Sequence, residues 1–295
     1  MAARAARWFF EGASIVIGGT SFLTRMADAS RERVRLARLR VPEGALALRA
    51  REAPRAPELE LAGFDVIAEL KLRSPAAGGL AARSFDRAAQ LEAYARGGAA
   101  AISVLTEPDE FGGALSHLEE AAADVARHGC PVMRKDFLTS PYQVLEARAA
   151  GAGGVLVIVT MLDDSQLGEL IECAREYGLF VLLEAFDRRD LERIAGLPLD
   201  SGRHRILAGV NSRDLRDLEV RFERFAELAP FIPRDCPTVA ESGIASAADA
   251  ATVGELGYRL ALVGSSLMQS ASPERALREL LAAGRGVRTV VPACS

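Results

Sequence analysis

Glu69 and Lys71 stand two residues apart in "VIAELKLRSP", where the apolar run Val66-Ile67-Ala68 gives way to charge and then breaks at Ser74-Pro75. Residues i and i+2 of a strand point to one face. A carboxylate and an ammonium would therefore project side by side from the end of an otherwise apolar strand, either as an ion pair tying that end down or as one edge of an acid–base site. The pattern recurs. "VMRKDF" carries Lys135, Asp136 and Phe137 where an apolar run stops, "LLEAF" carries Glu184, and "GVNSRDL" carries Asn211, Ser212 and Arg213. "VAESGI" supplies Glu241, Ser242 and Gly243, and "ISVLTEPDEFGG" runs through Thr106 and Glu107 to Phe111. A single charge at a strand end is ordinarily solvated or ion-paired. Two lysines and three glutamates in one cavity would instead push their pKa values apart, lowering those of the lysines and producing acid and base partners.

The elements that must position these residues follow a rhythm. Apolar runs occur at Val66–Leu70, Ala101–Leu105, Pro131–Arg134, Val155–Val159, Phe180–Leu183, Ile206–Val210, Thr238–Ala240 and Leu260–Val263. Stretches of helical periodicity lie between them. "FDRAAQLEAYARGG" places Ala88, Leu91 and Ala95 on one face and stops at Gly97-Gly98, a C-terminal cap signal. "SPYQVLEARAAGA" sets Ser140 before Pro141, an N-cap followed by proline at the first helical position. "DDSQLGELIECAREYG" also runs into glycine.

Strand and helix alternating eight times predict parallel strands joined by crossover helices, an α/β fold of the single (β/α)8 TIM-barrel type. A doubly wound open sheet is the rival, but no GxGxxG follows the first strand, and "GAGG" at 151–154 precedes a strand and reads as a tight turn. In such barrels chemistry gathers at the C-terminal ends of the strands, and the loops after the last two strands commonly hold phosphate. "ESGI" and "VGSSLM", with Gly243, Gly264 and Ser265, fit that use through backbone N–H groups and a helix N-terminus. Phe111 and Phe137 follow the second and third strands, where each could cover a flat ring or simply belong to the core.

The remaining composition narrows the function classes. The chain has 295 residues, 49% hydrophobic and 26% charged, with a formal net charge of −4 and both signs interspersed. That excludes a basic footprint for nucleic acid or a membrane surface. Four scattered cysteines without a CxxC pair and three isolated histidines argue against a metal site or a disulfide framework and for a reduced, cytoplasmic protein. Residues 1–19 contain the apolar "WFFEGASIVIGG", which Glu11 interrupts and which is too short to span a bilayer. It is expected to be an extension that packs on the domain or is disordered. Residues 20–60 are expected to form an amphipathic N-terminal helix and lead-in that turns at Pro42 and Pro54 and caps one barrel mouth. Residues 61–285 then form the barrel and 286–295 a tail.

Seven segments together, "VIAELKLRSPAAG", "ISVLTEPDEFGGAL", "PVMRKDFLTSPYQVLEARAAGAGGVLVIV", "LLEAF", "GVNSRDL", "VAESGI" and "LVGSSLM", resemble the indole-3-glycerol phosphate synthase family. "SFLTRMADASRERV" looks like that family's N-terminal helix, so the likeness runs from about Thr20 to about Leu281. The resemblance implies a carboxy-lyase of tryptophan biosynthesis. It closes the pyrrole ring of 1-(2-carboxyphenylamino)-1-deoxyribulose 5-phosphate with loss of CO2 and water, using no metal or organic cofactor. It implies Lys135 as a general acid toward the substrate carbonyl. Lys71 would be a second catalytic lysine that serves dehydration or contacts phosphate, Glu184 the base, and Glu69 the group that orients Lys71. Asn211, Glu241 and Ser242 would bind hydroxyls or hold the lysines, and Arg213 would reach the carboxylate. Ser74, Phe111 and Phe137 would contact substrate, and Gly243, Gly264 and Ser265 would cradle phosphate. Partners would be that small phosphorylated aromatic-sugar substrate and no nucleic acid or membrane, the protein acting as a monomer or weak homo-oligomer.

The sequence departs from the family's habit in three places. "LRSPAAGG" lacks a further Ser and Lys after the proline, Ala114 stands for a common serine, and "GLPLDSGRHRI" appears inserted before the sixth strand. None removes a catalytic position. A phosphoribosylanthranilate isomerase would use a cysteine base near the first strand, where this chain has Glu69 and Lys71. A non-catalytic binding barrel would be signalled by loss of Lys135 or Glu184, and both are present.

Overall fold

Eight parallel strands close on themselves in chain order. They are β1 (Asp65–Leu70), β2 (Ala101–Leu105), β3 (Val132–Lys135), β4 (Gly154–Ile158), β5 (Phe180–Ala185), β6 (Ile206–Asn211), β7 (Thr238–Glu241) and β8 (Leu260–Val263). The computed structural model describes residues 21–74, 78–79, 85–198, 206–213 and 219–286. The extension expected over 1–19, nearly all of the tail expected over 286–295 and most of the "GLPLDSGRHRI" segment lie outside the described residues.

Each strand begins and ends within a residue or two of the apolar run that marks it. The runs are near-continuous because a parallel barrel buries both faces of every strand. Ile67, Met133, Leu156, Leu182, Leu207 and Val239 belong to one buried cluster that fills the barrel. Their neighbours Val66, Val132, Val155, Val181, Ala208 and Ala240 belong to another, beneath the surrounding helices. Closure is completed where β1 pairs with β8, Ile67 opposite Leu262, as well as with β2.

The lead-in contains two helices, where the expected architecture has one. Ser21 accepts a hydrogen bond from the Thr24 N–H and starts α1 (Phe22–Arg40), which buries Met26, Ala27, Ser30 and Val34. Val41 precedes Pro42 and is extended, as a residue before proline prefers, so α1 must stop. Pro42 then opens α2 (Glu43–Glu52). This helix lays Leu46 and Ala50 against Tyr142 and Leu145 of a later helix, and the Tyr142 hydroxyl donates to the Val41 carbonyl at 2.9 Å. The chain next passes under the barrel, with the Pro57 carbonyl close to Gly153 at the foot of β4, and Leu59 joins the interior cluster.

Nine further helices are described: α3 (Arg87–Gly97), α4 (Leu115–Val125), α5 (Pro141–Ala149), α6 (Asp164–Glu176), α7 (Arg188–Ala195), α8 (Arg224–Leu228), α9 (Ala247–Glu255), α10 (Ser265–Gln269) and α11 (Pro273–Gly286). Asp86 caps the start of α3 and Gly98, at φ +93°, ends it. The buried face differs from the expected one. Leu91 is buried as expected, but Ala88 is exposed and Tyr94 and Gly97 join Leu91 on the buried face, because Gly97 sits directly against Leu277 of α11, where a β-carbon would not fit.

"GAGG" is the turn that its position before a strand indicates. Gly151 has φ +85°, and Gly154 lies so close to the Phe180 ring that a β-carbon there would overlap it. Gly154→Ala should therefore overpack the base of the barrel and lower the unfolding free energy by about 1–3 kcal/mol. A reduced urea midpoint with an unchanged slope would show it; an unchanged midpoint would mean that the ring moves aside without cost.

Candidate active site

The C-terminal ends of the strands deliver their polar side chains to a single cavity. Its wall includes Glu69 and Lys71 from β1 and its following loop, Lys135 from β3, Glu184 from β5, Asn211 and Arg213 from β6 and its loop, and Ser242 after β7. The i, i+2 relation of Glu69 and Lys71 yields an ion pair of 2.8 Å, Nζ to Oε1. Lys135 Nζ donates to Glu184 Oε2 at 3.2 Å. The other oxygen of Glu184 accepts from Asn211 Nδ2 at 2.9 Å, and Asn211 Oδ1 in turn accepts from the Arg213 N–H at 2.9 Å. These carboxylates are almost fully buried, so each needs such partners to remain charged.

Glu241 is the exception. It is 1% exposed, and neither of its carboxylate oxygens has a hydrogen-bond partner among the described residues. Gly209 lies beneath it, so close that a β-carbon would strike Oε1. Burial, and then the negative charge of Glu184, push the Glu241 pKa well above the usual carboxylate range, with Lys135 opposing and Glu69 adding to the rise. For Glu69, burial works upward, but Lys71, Lys135 and Arg213 together hold its pKa below the ordinary value.

Lys135 departs from the expectation that crowding lowers lysine pKa values. Burial does act downward on its ammonium, yet Glu184, Glu241 and Glu69 outweigh that penalty and raise its pKa. Three facing carboxylates, rather than a neighbouring cation, are what the ammonium meets.

Aromatic rings close the other side. Phe111 and Phe137 both line the cavity, with ring centroids 6.3 Å apart. Phe22 of α1 meets Phe137 edge-to-face at 5.9 Å. Phe22 and Leu23 line the same space, as does Phe186. These three are absent from the sequence-derived set. Phe186 had a signal, since it directly follows the strand end in "LLEAF"; Phe22 and Leu23 lie outside the strand rhythm, and only the docking of α1 over the mouth brings them in.

Ser242 stands on this wall, whereas Gly243, Gly264 and Ser265 stand behind it. Gly264 backs Glu69 and Lys71, with Lys71 Nζ 3.1 Å from where its β-carbon would be, and Ser265 is the first residue of α10. Ser242 and Gly243 have φ of +68° and +79°. The left-handed backbone at Ser242 is strained for a residue with a side chain, and its carbonyl accepts from Ser212 Oγ at 3.1 Å. Gly243 fits tightly against Val220, 2.8 Å from its would-be β-carbon. The side chain of Ser74 lies outside the described residues. No group of three or more His, Cys, Asp and Glu among the described residues is arranged to hold a metal ion.

A family model described as indole-3-glycerol phosphate synthase matches residues 24–280. A protein of that name from a Nocardioides species is 46% identical over 224 residues, covering 76% of this chain and 82% of its own. Another, from Micrococcus luteus, is 40% identical over 277 residues, covering 91% of this chain and 100% of its own. Among solved structures, a mutant tryptophan synthase alpha-subunit from Pyrococcus furiosus superposes with a TM-score of 0.54 at 17% identity, over 76% of this chain and 100% of that one. The 3-hexulose-6-phosphate synthase of Salmonella typhimurium gives 0.57 at 14% identity, over 74% and 97%. At such low identity these two speak for the barrel fold alone. With the family's motifs matched along most of its length, the chain belongs to the indole-3-glycerol phosphate synthase family.

Proposed function

We propose that this barrel closes the pyrrole ring of 1-(2-carboxyphenylamino)-1-deoxyribulose 5-phosphate, releasing CO2 and water to give indole-3-glycerol phosphate. Family membership supports the activity. The observation that carries the assignment of roles is Lys135 Nζ held by Glu184 between a charged wall and an aromatic wall. The flat aryl ring of the substrate suits Phe111 and Phe137, and its carboxylate suits Arg213.

The chemistry then follows from charge. As the ring carbon bearing the carboxylate attacks the sugar carbonyl, the carbonyl oxygen gains negative charge. Lys135, kept protonated by its carboxylate neighbours, delivers a proton there. Loss of CO2 returns the bonding electrons to the ring and restores its aromaticity. The new hydroxyl leaves as water with a proton from Lys71, and Glu184 takes the proton whose loss completes the pyrrole. Asn211 orients Glu184, while Glu69 orients Lys71.

Burial and the charge of Glu184 raise the Glu241 pKa, which favours its protonated form and lets it offer a hydrogen bond to a substrate hydroxyl or to its charged neighbours. Lys71, Lys135 and Arg213 line the cavity and suit an anionic substrate. Gly243, Gly264 and Ser265 take the phosphate end, and Ser74 contacts the substrate. Within this reading the lead-in, 20–60, serves the barrel, 61–285, by bringing α1 to the mouth. The protein acts as a monomer or weak homo-oligomer in this reading, and the free thiols of Cys130, Cys173 and Cys236 support a cytoplasmic location. No described helix is long and apolar enough to cross a membrane.

The assay is fluorescence of the indole product formed by purified protein from the carboxyphenylamino-deoxyribulose phosphate, with chelator present. Lys135→Ala should lower kcat by about 10²-fold or more while glycerol 3-phosphate still binds; full activity in that variant would sink the assignment of Lys135. Binding without turnover by the wild type would instead favour a binding protein. Glu241 makes a separate prediction. Its folded-state pKa lies above its unfolded value, so the native state keeps a proton that the unfolded chain releases, and stability falls as pH rises through that window. Relative to Glu241→Gln, the wild type should lose stability as pH rises above about 4.3 and through the higher folded-state pKa, read from urea unfolding at several pH values. A parallel pair of curves would show that Glu241 is ionised in the fold.

A further inference from the structure

We infer that Arg33 of α1 is a positioning residue for the aromatic wall, a single guanidinium that sets the three rings covering the substrate's aryl group; the inference rests on the activity proposed above. Its Nη2 donates to Asp136 Oδ1 at 2.7 Å, and its Nη1 lies 3.5 Å from Glu107 Oε1. Both carboxylates are buried, and each is spent on backbone that carries a ring.

Asp136 Oδ1 also accepts from the Phe137 N–H at 2.8 Å, while its Oδ2 accepts from Thr106 Oγ1 at 2.9 Å. Glu107 accepts from the N–H groups of Asp109 at 3.0 Å, Glu110 at 2.7 Å and Phe111 at 3.1 Å, which folds the loop after β2 around its carboxylate. The third ring belongs to Arg33's own helix. Phe22 lies eleven residues earlier, close to three helical turns, and so faces the same way about 16 Å along the axis. One end of α1 thus meets Phe137 through Phe22, and its middle holds the carboxylates that fix Phe137 and Phe111.

None of these groups touches the reacting atoms. Without Arg33 the two buried carboxylates would lose the cation that bridges them. Asp136 would keep Arg134, whose Nη2 lies 3.2 Å from its Oδ2, but Glu107 and Asp136 would repel one another and draw in water, and the loop and strand end would relax independently. The effect should fall on recognition of the ring, not on proton transfer.

The test compares two ligands on the full-length protein. One is the substrate's reduced analogue, 1-(2-carboxyphenylamino)-1-deoxyribitol 5-phosphate, which carries the aryl ring; the other is glycerol 3-phosphate, which carries only the phosphate end. Arg33→Met should raise the Kd of the aryl analogue about tenfold, on the scale of about one aromatic contact, leave the Kd of glycerol 3-phosphate within about twofold, and raise KM by more than it lowers kcat. Arg33→Lys, which reaches with one nitrogen, should recover part of the loss and serves if the methionine variant does not fold. Equal weakening of both ligands, or of neither, in folded variants of a wild type that turns the substrate over would overturn the inference alone. A wild type that binds neither ligand and forms no product would overturn the proposed activity and the inference with it.

Discussion

Closure of the barrel forces opposite charges together where water is scarce, and most of the upper half of the molecule is arranged around that constraint. Inward-facing positions at the strand ends line one cavity with Glu69, Lys135, Glu184 and Asn211 and set the buried Glu241 within reach of their charges. A buried carboxylate costs several kcal/mol unless it is paired or protonated. Glu69 is paired with Lys71, Glu184 with Lys135 and Asn211, and Glu241, without a hydrogen-bond partner among the described residues, has its pKa pushed well upward. Three carboxylates thereby acquire different electrostatic roles without any difference in residue type.

The same constraint explains why the lysine is a poised acid rather than a depressed base. A lysine buried among apolar side chains would lose its proton readily. Lys135 is buried among carboxylates, and their fields exceed the desolvation penalty. Such an ammonium parts with its proton only when a stronger acceptor arises, and an oxygen gaining charge during carbon–carbon bond formation is one. A site of this kind discriminates in favour of the transition state because its charges are already in place before the reaction begins.

The barrel supplies only part of the cavity. Its strand ends furnish charge, while the lead-in furnishes an apolar cover through Phe22 and Leu23, anchored by Arg33 on Asp136 and by Gln143 donating to Ser30 at 2.9 Å. The passage of residues 53–61 under the opposite end, with Arg148 donating to the Ala53 carbonyl at 2.8 Å, fastens the same segment from below. A lead-in that lies outside the eightfold repeat is therefore bound to both ends of it.

Much of this was legible in the residue order. The apolar runs mark the eight strands to within a residue or two because parallel strands buried on both faces must be continuously hydrophobic. Their polar endings mark the active end of the barrel because side chains there meet a cavity and no longer a packed interior. Local chemistry likewise settles the turns: Pro42 ends α1, Gly98 ends α3, and "GAGG" bends the chain into β4. The relation of Glu69 to Lys71 also follows from sequence, since the two-residue period of a strand decides it before any folding. What lay beyond the sequence were quantities that depend on distance between elements far apart in the chain. The upward shift of Lys135 arises from carboxylates on three other strands, the buried face of α3 is set by α11, and the clamp of Arg33 joins residues 103 positions apart. Periodicity and turn chemistry act over a few residues and can be read from them; electrostatic fields and ring packing fall off within a few ångströms of space, and only the tertiary structure brings those ångströms about.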